Sequence, residues 1–188
     1  ERKTMSAVKL STGILWLLIS CSALAVGESG QIISWGAKVV PYVKPGTKFA
    51  KISAGRDHVI ALTTHATICV WGANNNGDAI PPISFSNAVD VASGRASSFV
   101  LNADGTVVGW GDPFAPSTTT PVGLTNLIRI AAGNDHAVGL QSDSTVVAWG
   151  DDTYGQTEVP DGLTNVIAIA CGEEHTLALK RDGSVIAW

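Results

Sequence analysis

Tryptophan followed by glycine returns down this chain at a nearly fixed step: Trp35-Gly36, Trp71-Gly72, Trp110-Gly111 and Trp149-Gly150, with another tryptophan at Trp188. The tryptophan intervals are 36, 39, 39 and 39 residues, and three further markers keep the same phase. Gly55, Gly94, Gly133 and Gly172 are each 39 apart, as are Pro82, Pro121 and Pro160, and Asn87, Asn126 and Asn165. Self-similarity at a period near 40 is the signature of an array whose units bury their apolar faces only by stacking on neighbours.

The last unit shows what one repeat contains. Residues 165–172 form a nearly all-apolar run ending at Gly172, as expected of a strand covered on both faces. A second run follows from His175 to Lys180, then the turn Arg181-Asp182-Gly183-Ser184, then a returning run from Ser184 to Trp188. Asp-Gly tolerates the positive φ of a tight hairpin, and Asp104-Gly105 marks the same turn two units earlier. Three antiparallel strands per unit are expected, with room for a short fourth around Gly155-Gln156-Thr157. Helical arrays of similar period need amphipathic segments of about ten or more residues. Here the apolar runs are short and bounded by Gly, Pro and Asp-Gly, so a meander of strands, the blade of an all-β propeller, is the expected unit.

At this point the residues resemble a known family. Residues 146–156, with Trp149-Gly150, followed by residues 166–179, with Gly172 and His175, are similar to the regulator of chromosome condensation repeat, in the compact form of bacterial secreted proteins. That form includes a secreted β-lactamase-inhibitory propeller. Trp-Gly in place of a Trp-Asp ending separates the chain from WD-repeat propellers. The resemblance covers residues 31–188 and implies a seven-bladed ring. Seven blades of this size need about 270 residues, so the sequence reads as a C-terminally truncated piece of about four repeats, at about 36–71, 72–110, 111–149 and 150–188. Gln31 to Trp35 would complete the last blade of a closed ring. An open arc exposes strand edges and is expected to associate. A monodisperse, heat-stable monomer of residues 26–188 would contradict this expectation.

The N-terminal stretch is a separate object. Met5 and Lys9 precede the apolar run Gly13 to Ser20, and Ala23-Leu24-Ala25 supplies the small-residue pattern of signal peptidase. Residues 1–25 are expected to be a signal peptide with upstream residues, cleaved after Ala25, which leaves residues 26–188 as the repeat region outside the cell. Leu18-Ile19-Ser20-Cys21 resembles a bacterial lipobox, which makes Cys21 a candidate lipidation site and a lipid anchor the one expected membrane contact. Of 12 basic and 16 acidic residues, Arg2, Lys3, Lys9 and Glu1 fall in this stretch, so the remainder carries 9 and 15, a net charge of −6. The acidic balance and the lack of a basic cluster exclude a nucleic-acid partner.

The histidines invite a metal or catalytic reading. His58, His136 and His175 share one repeat position, which puts them on different blades, too far apart to share an ion. Ser97 fills the same slot in one repeat, as suits a hydrogen-bonding residue that orders a Gly-x-x-His turn. His65 sits at a hairpin and is expected to face solvent. The recurring tryptophans are expected to pack between blades rather than to form a sugar-stacking ladder. Cys69 and Cys171 occupy an apolar and a small-residue slot, as expected of buried free thiols. Asp151-Asp152 and Asn74-Asn75-Asn76 lack the spaced oxygens of a calcium loop. Gly72 to Gly77 has P-loop glycine spacing without the Lys-Ser/Thr that would use it. No nucleophile elbow or zinc-helix motif occurs, so a non-enzyme without metal or cofactor is expected.

Propellers carry function in their loops. The expected role is an extracellular protein-interaction or adhesion module. Its candidate partner-binding turns lie between Gly and His: Arg56 and Asp57, Arg95 with Ala96, Asn134 and Asp135, Glu173 and Glu174. If these turns are not the surface, the longer loops holding Phe114 and Tyr154 are the next candidates. The resemblance implies two other roles, inhibition of a secreted enzyme such as a β-lactamase, or carbohydrate binding. Inhibition is disfavoured by turns that lack an aromatic anchor. Nucleotide exchange on a small GTPase, the role of the nuclear relatives, conflicts with a secretory leader.

Overall fold

A computed structural model of the protein describes residues 46–188. The leader, Cys21 and the Gln31–Trp35 strand lie outside the described residues. Twelve strands form four three-stranded antiparallel sheets, each in sequence order. Blade 1 holds β1 (Phe49–Ala54), β2 (His58–Thr63) and β3 (Ile68–Gly72). Blade 2 holds β4 (Ala88–Ser93), β5 (Ser97–Asn102) and β6 (Val107–Gly111). Blade 3 holds β7 (Leu127–Ala132), β8 (His136–Gln141) and β9 (Val146–Gly150). Blade 4 holds β10 (Val166–Cys171), β11 (Thr176–Lys180) and β12 (Val185–Ala187). These are four successive blades of a β-propeller, one in each expected repeat.

The first strand of every blade carries a bulge at the same place, between Phe49 and Lys51, Ala88 and Asp90, Leu127 and Arg129, and Val166 and Ala168. A bulge inserts one unpaired residue and increases local twist, so its recurrence is part of the repeat geometry. The connection between blades is irregular, and its one regular element is a 3-10 turn at Pro116–Thr118. The fourth strand expected near Gln156 is absent: residues 155–157 lie in turns. Gln156 is instead buried, and its carbonyl accepts a hydrogen bond from the Thr176 hydroxyl of blade 4. A loop that feeds its backbone acceptors into an interface has no ladder to join.

Apolar burial is almost entirely between blades. Ile60 and Leu62 of blade 1 meet Phe85, Ala88, Val91, Val100 and Trp110, all from blade 2 or the loop leading into it. Phe99 and Leu101 of blade 2 meet Leu127, Ile130, Ala132 and Trp149 of blade 3. Val138 and Leu140 of blade 3 meet Val166, Cys171 and Ala178 of blade 4. A fully buried Phe, Ile or Leu contributes about 1.5–3 kcal/mol, and here each gains that only from the next blade. The recurring tryptophans Trp71, Trp110 and Trp149 are buried, so none offers its face to a sugar. Trp110 and Trp149 also donate their indole N–H to the carbonyls of Asp78 and Ser117 in the connecting loops, both at 3.0 Å.

Candidate functional site

Each Gly-x-x-His turn joins the first and second strands of a blade. The third strand ends beside it: His58 pairs with Gly72, Ser97 with Gly111 and His136 with Gly150. The chain then turns back over the same end, and the amides of Ala73, Asp112 and Asp151 donate to the carbonyls of Asp57, Ala96 and Asp135. Gly150 makes that departure possible, because its φ of +112° suits glycine and a Cβ would stand 2.5 Å from the Asp135 carbonyl oxygen. The Gly-x-x-His turns and the first residues of the long loops therefore share one end of the blades, and the hairpins holding His65, Asp104, Asp143 and Asp182 occupy the other.

Neighbouring turns touch through their backbones. The Arg95 amide donates to the Asn134 carbonyl at 3.2 Å, and the Asn134 amide donates to the Glu173 carbonyl at 3.1 Å. The Asn134 side-chain amide also donates to Glu173 Oε1 at 2.9 Å. The predicted turn residues are thus brought together as a row. Arg56, Asp57, Arg95, Glu173 and Glu174 are exposed, while Asn134 and Asp135 are half-buried and Ala96 is buried. His65 is exposed, as expected, and so is His175, unlike His58 and His136.

The buried histidines bind blade to blade. His58 Nε2 lies 2.8 Å from Ser98 Oγ of blade 2, and Ser98 donates its single proton to the Asp78 carbonyl at 2.9 Å. Ser98 must therefore accept from His58, which fixes the proton on Nε2. His136 repeats the arrangement one interface later but one, through Thr176 Oγ1 at 3.1 Å to the Gln156 carbonyl at 2.8 Å. Asp78 Oδ2 stands 3.2 Å from His58 Nδ1, so aspartate, histidine and serine here have the connectivity of a hydrolase triad. All three are buried, and the serine proton is spent on a backbone carbonyl. The group is a staple between blades, which accounts for the histidine position as a structural one.

Three electrostatic features surround this frame. Burial first, then the charge of neighbouring His175, hold the His136 imidazole below its ordinary pKa of 6.5. Buried Asp90 receives Lys51 Nζ from blade 1 at 2.7 Å and the Ile130 amide from blade 3 at 3.3 Å, tying three blades together. Cys69 is half-buried rather than buried, because it lies on the first blade, while Cys171 is buried inside an interface; both are free thiols pushed upward in pKa by burial. Among the described residues no group of three or more His, Cys, Asp or Glu side chains could hold a metal ion.

Reasoning from sequence underrated two side chains at the turn-bearing end. Phe114 follows Asp112, whose carboxylate accepts the Phe114 amide at 2.9 Å, and the ring is 91% exposed. Tyr154 sits in the equivalent loop after β9, its amide held by Gln156 Oε1 at 2.8 Å, with the side chain 68% exposed. Both side chains stand on loops whose backbones are fixed by Asx-type hydrogen bonds. Their signal in the sequence was an aromatic in a polar turn with no repeat counterpart.

A family model for the regulator of chromosome condensation (RCC1) repeat matches residues 49–78, 128–156 and 166–188. The stretch between the first two matches contains Ser97, where the other turns carry histidine. Among solved structures, the ectodomain of the receptor kinase CR4 from Physcomitrella patens is similar at 27% identity and a TM-score of 0.62, covering 82% of this chain and 45% of that one. The CRINKLY ectodomain of the Arabidopsis thaliana receptor kinase ACR4 is similar at 21% identity and a TM-score of 0.63, covering 76% and 51%. Prp20p from Saccharomyces cerevisiae, described with binding to Gsp1p and histones, is similar at 25% identity and 0.61, covering 76% and 43%. The chain spans about half the length of these proteins. No curated protein sequence matches it.

Proposed function

Because this chain is built from regulator of chromosome condensation repeats, we propose that it is a non-catalytic protein-interaction or adhesion module that binds its partner with the end carrying the Gly-x-x-His turns. The observation that carries this reading is the pair of exposed aromatics, Phe114 and Tyr154, on hydrogen-bonded loops beside a continuous row of charged turns. Buried anchors in protein interfaces are enriched in aromatic side chains, and rigid loops lose little entropy on binding. Charge on this end is divided. Arg56 and Arg95 stand on blades 1 and 2, whereas Asp135, Asp151, Asp152, Glu173 and Glu174 stand on or beside blades 3 and 4. A partner with a basic face over blades 3 and 4 fits this division. The receptor ectodomains and Prp20p, whose fold the chain shares, support a protein as the ligand. A place outside the cell rests on the leader-like composition of residues 5–25.

A photoreactive phenylalanine analogue placed at position 114 or 154 is expected to cross-link one partner in native extracts, and the same analogue at Asp104 or Asp143, on the opposite end, to cross-link none. Equal labelling from both ends would remove the assignment. With the partner in hand, Phe114→Ser combined with Tyr154→Ser is expected to weaken binding about a hundredfold, since two anchors of about 1–2 kcal/mol each are lost. Calorimetric titration reads this directly. Raising salt is expected to weaken association further by screening the acidic row.

Inhibition of a secreted enzyme such as a β-lactamase stays a second reading. The turns alone lack an aromatic anchor, but Phe114 and Tyr154 lie at the same end and supply one. An inhibition assay with a purified β-lactamase decides between the two.

A further inference from the structure

The three interfaces between blades obey a pairing rule. Where the fourth residue of the Gly-x-x-X turn is histidine, the next blade carries a hydroxyl forty positions on: His58 with Ser98 and His136 with Thr176. Where it is Ser97, the next blade carries Ala137. An imidazole is long enough to cross the interface and needs a buried acceptor for its Nε2 proton, while serine is too short to cross, so a hydroxyl opposite it would be orphaned. Blade 4 presents the same face as blades 1 to 3, with nothing on it. Leu177, Leu179 and Val185 stand where Val138, Leu140 and Val146 of blade 3 are buried, yet Val185 is 59% exposed and His175 is exposed.

We propose that this open face of blade 4 is a docking surface for one further blade of the same repeat, and that His175 selects a blade carrying Ser or Thr at the residue after its Gly-x-x-X turn. The face itself argues against a second copy of this chain docking head to tail. Blade 1 would offer Val59 opposite His175, which cannot accept the Nε2 proton, and Ala61 and Trp71 of that face are already buried.

The test extends the chain after Trp188 with a copy of residues 150–188, which carries Thr176, and compares it with the same extension bearing Thr176→Ala in the added copy. The threonine blade is expected to give a slowly exchanging His175 imidazole N–H in NMR spectra. It should also stabilise the protein about fivefold more, in the unfolding equilibrium constant, than the alanine blade. His175→Ser in the resident blade should erase that difference. Equal stabilisation by both blades overturns the selection rule. Stabilisation by neither, or dimerisation of the unextended chain that Leu179→Asp disperses, overturns the assignment of the face.

Discussion

Gly133→Val is expected to unfold the protein or leave blades 3 and 4 separated. A Cβ at Gly133 would enter the His136 ring of its own turn and lie 2.5 Å from the Gly172 carbonyl oxygen of the next blade. The ring could swing away only by giving up Thr176, and the carbonyl could retreat only with its whole strand. Overpacking in a tight interior costs about 1–3 kcal/mol even where side chains can yield. Here a backbone must yield, so a loss of at least about 3 kcal/mol is expected, a large share of a marginal total. Gly123→Ala is the control, since no atom lies within 4 Å of its Cβ and only a φ of +79° is unfavourable. Its expected cost is about 1–2 kcal/mol. Urea denaturation of both variants gives the ratio, and hydrogen exchange shows whether β10 and β11 lose protection before β1 and β2. Similar midpoints for the two would mean that the first strands do not meet through their glycines.

Gly133 also shows why the sequence could be read as far as it was. A residue that must be glycine in every repeat leaves a periodic mark. So does Trp149, because its ring fills the interface and its indole binds the loop. Asn126 and Asn165 recur because the chain enters each blade at positive φ, 62° and 60°, which asparagine tolerates. Blade number and strand order within the described residues follow from such marks. The hydroxyl partners of the histidines left a fainter one, because Ser98, Ala137 and Thr176 differ in chemistry while keeping one role in packing. The loop position Asp78, Ser117 and Gln156 was fainter still: all three are buried, but what they contribute to the staple is a backbone carbonyl, which no side chain advertises.

The candidate surface divides in the same way. The turn row was legible because the turns sit at a fixed phase, and backbone hydrogen bonds from Arg95 to Asn134 to Glu173 do join them. Phe114 and Tyr154 belong to no periodic position, so only the fold could put them at the end where the turns are. A feature used for stability repeats in every blade of such an array, while a feature used for one partner occurs once. The non-repeating exposed side chains are accordingly the informative ones for function, and the repeating buried ones for the fold.

Thr176→Val is expected to damage the protein through chemistry alone, since valine keeps the shape and removes the hydroxyl. His136 Nε2 would lose its acceptor and the Gln156 carbonyl its donor, both inside a buried interface. Each orphaned group costs about 1–3 kcal/mol, so the pair should cost about 2–4 kcal/mol. Acid separates this from a packing defect. Burial lowers the His136 pKa in the folded state, so the imidazolium favours the unfolded chain. The neutral ring's contribution is complete above the unfolded value near 6.5 and is lost as pH falls through the lower folded value. A second loss begins lower. Asp104, Asp143 and Asp182, held below 3.8 by hydrogen bonds from Thr106, Thr145 and Ser184, withdraw their contribution as pH falls through their depressed folded values. Stability measured from pH 8 to pH 2 should therefore fall in two stages. His136→Gln should flatten the upper stage and leave the lower one. An upper stage unchanged by His136→Gln would assign it to another group and leave His136 no part in the acid response.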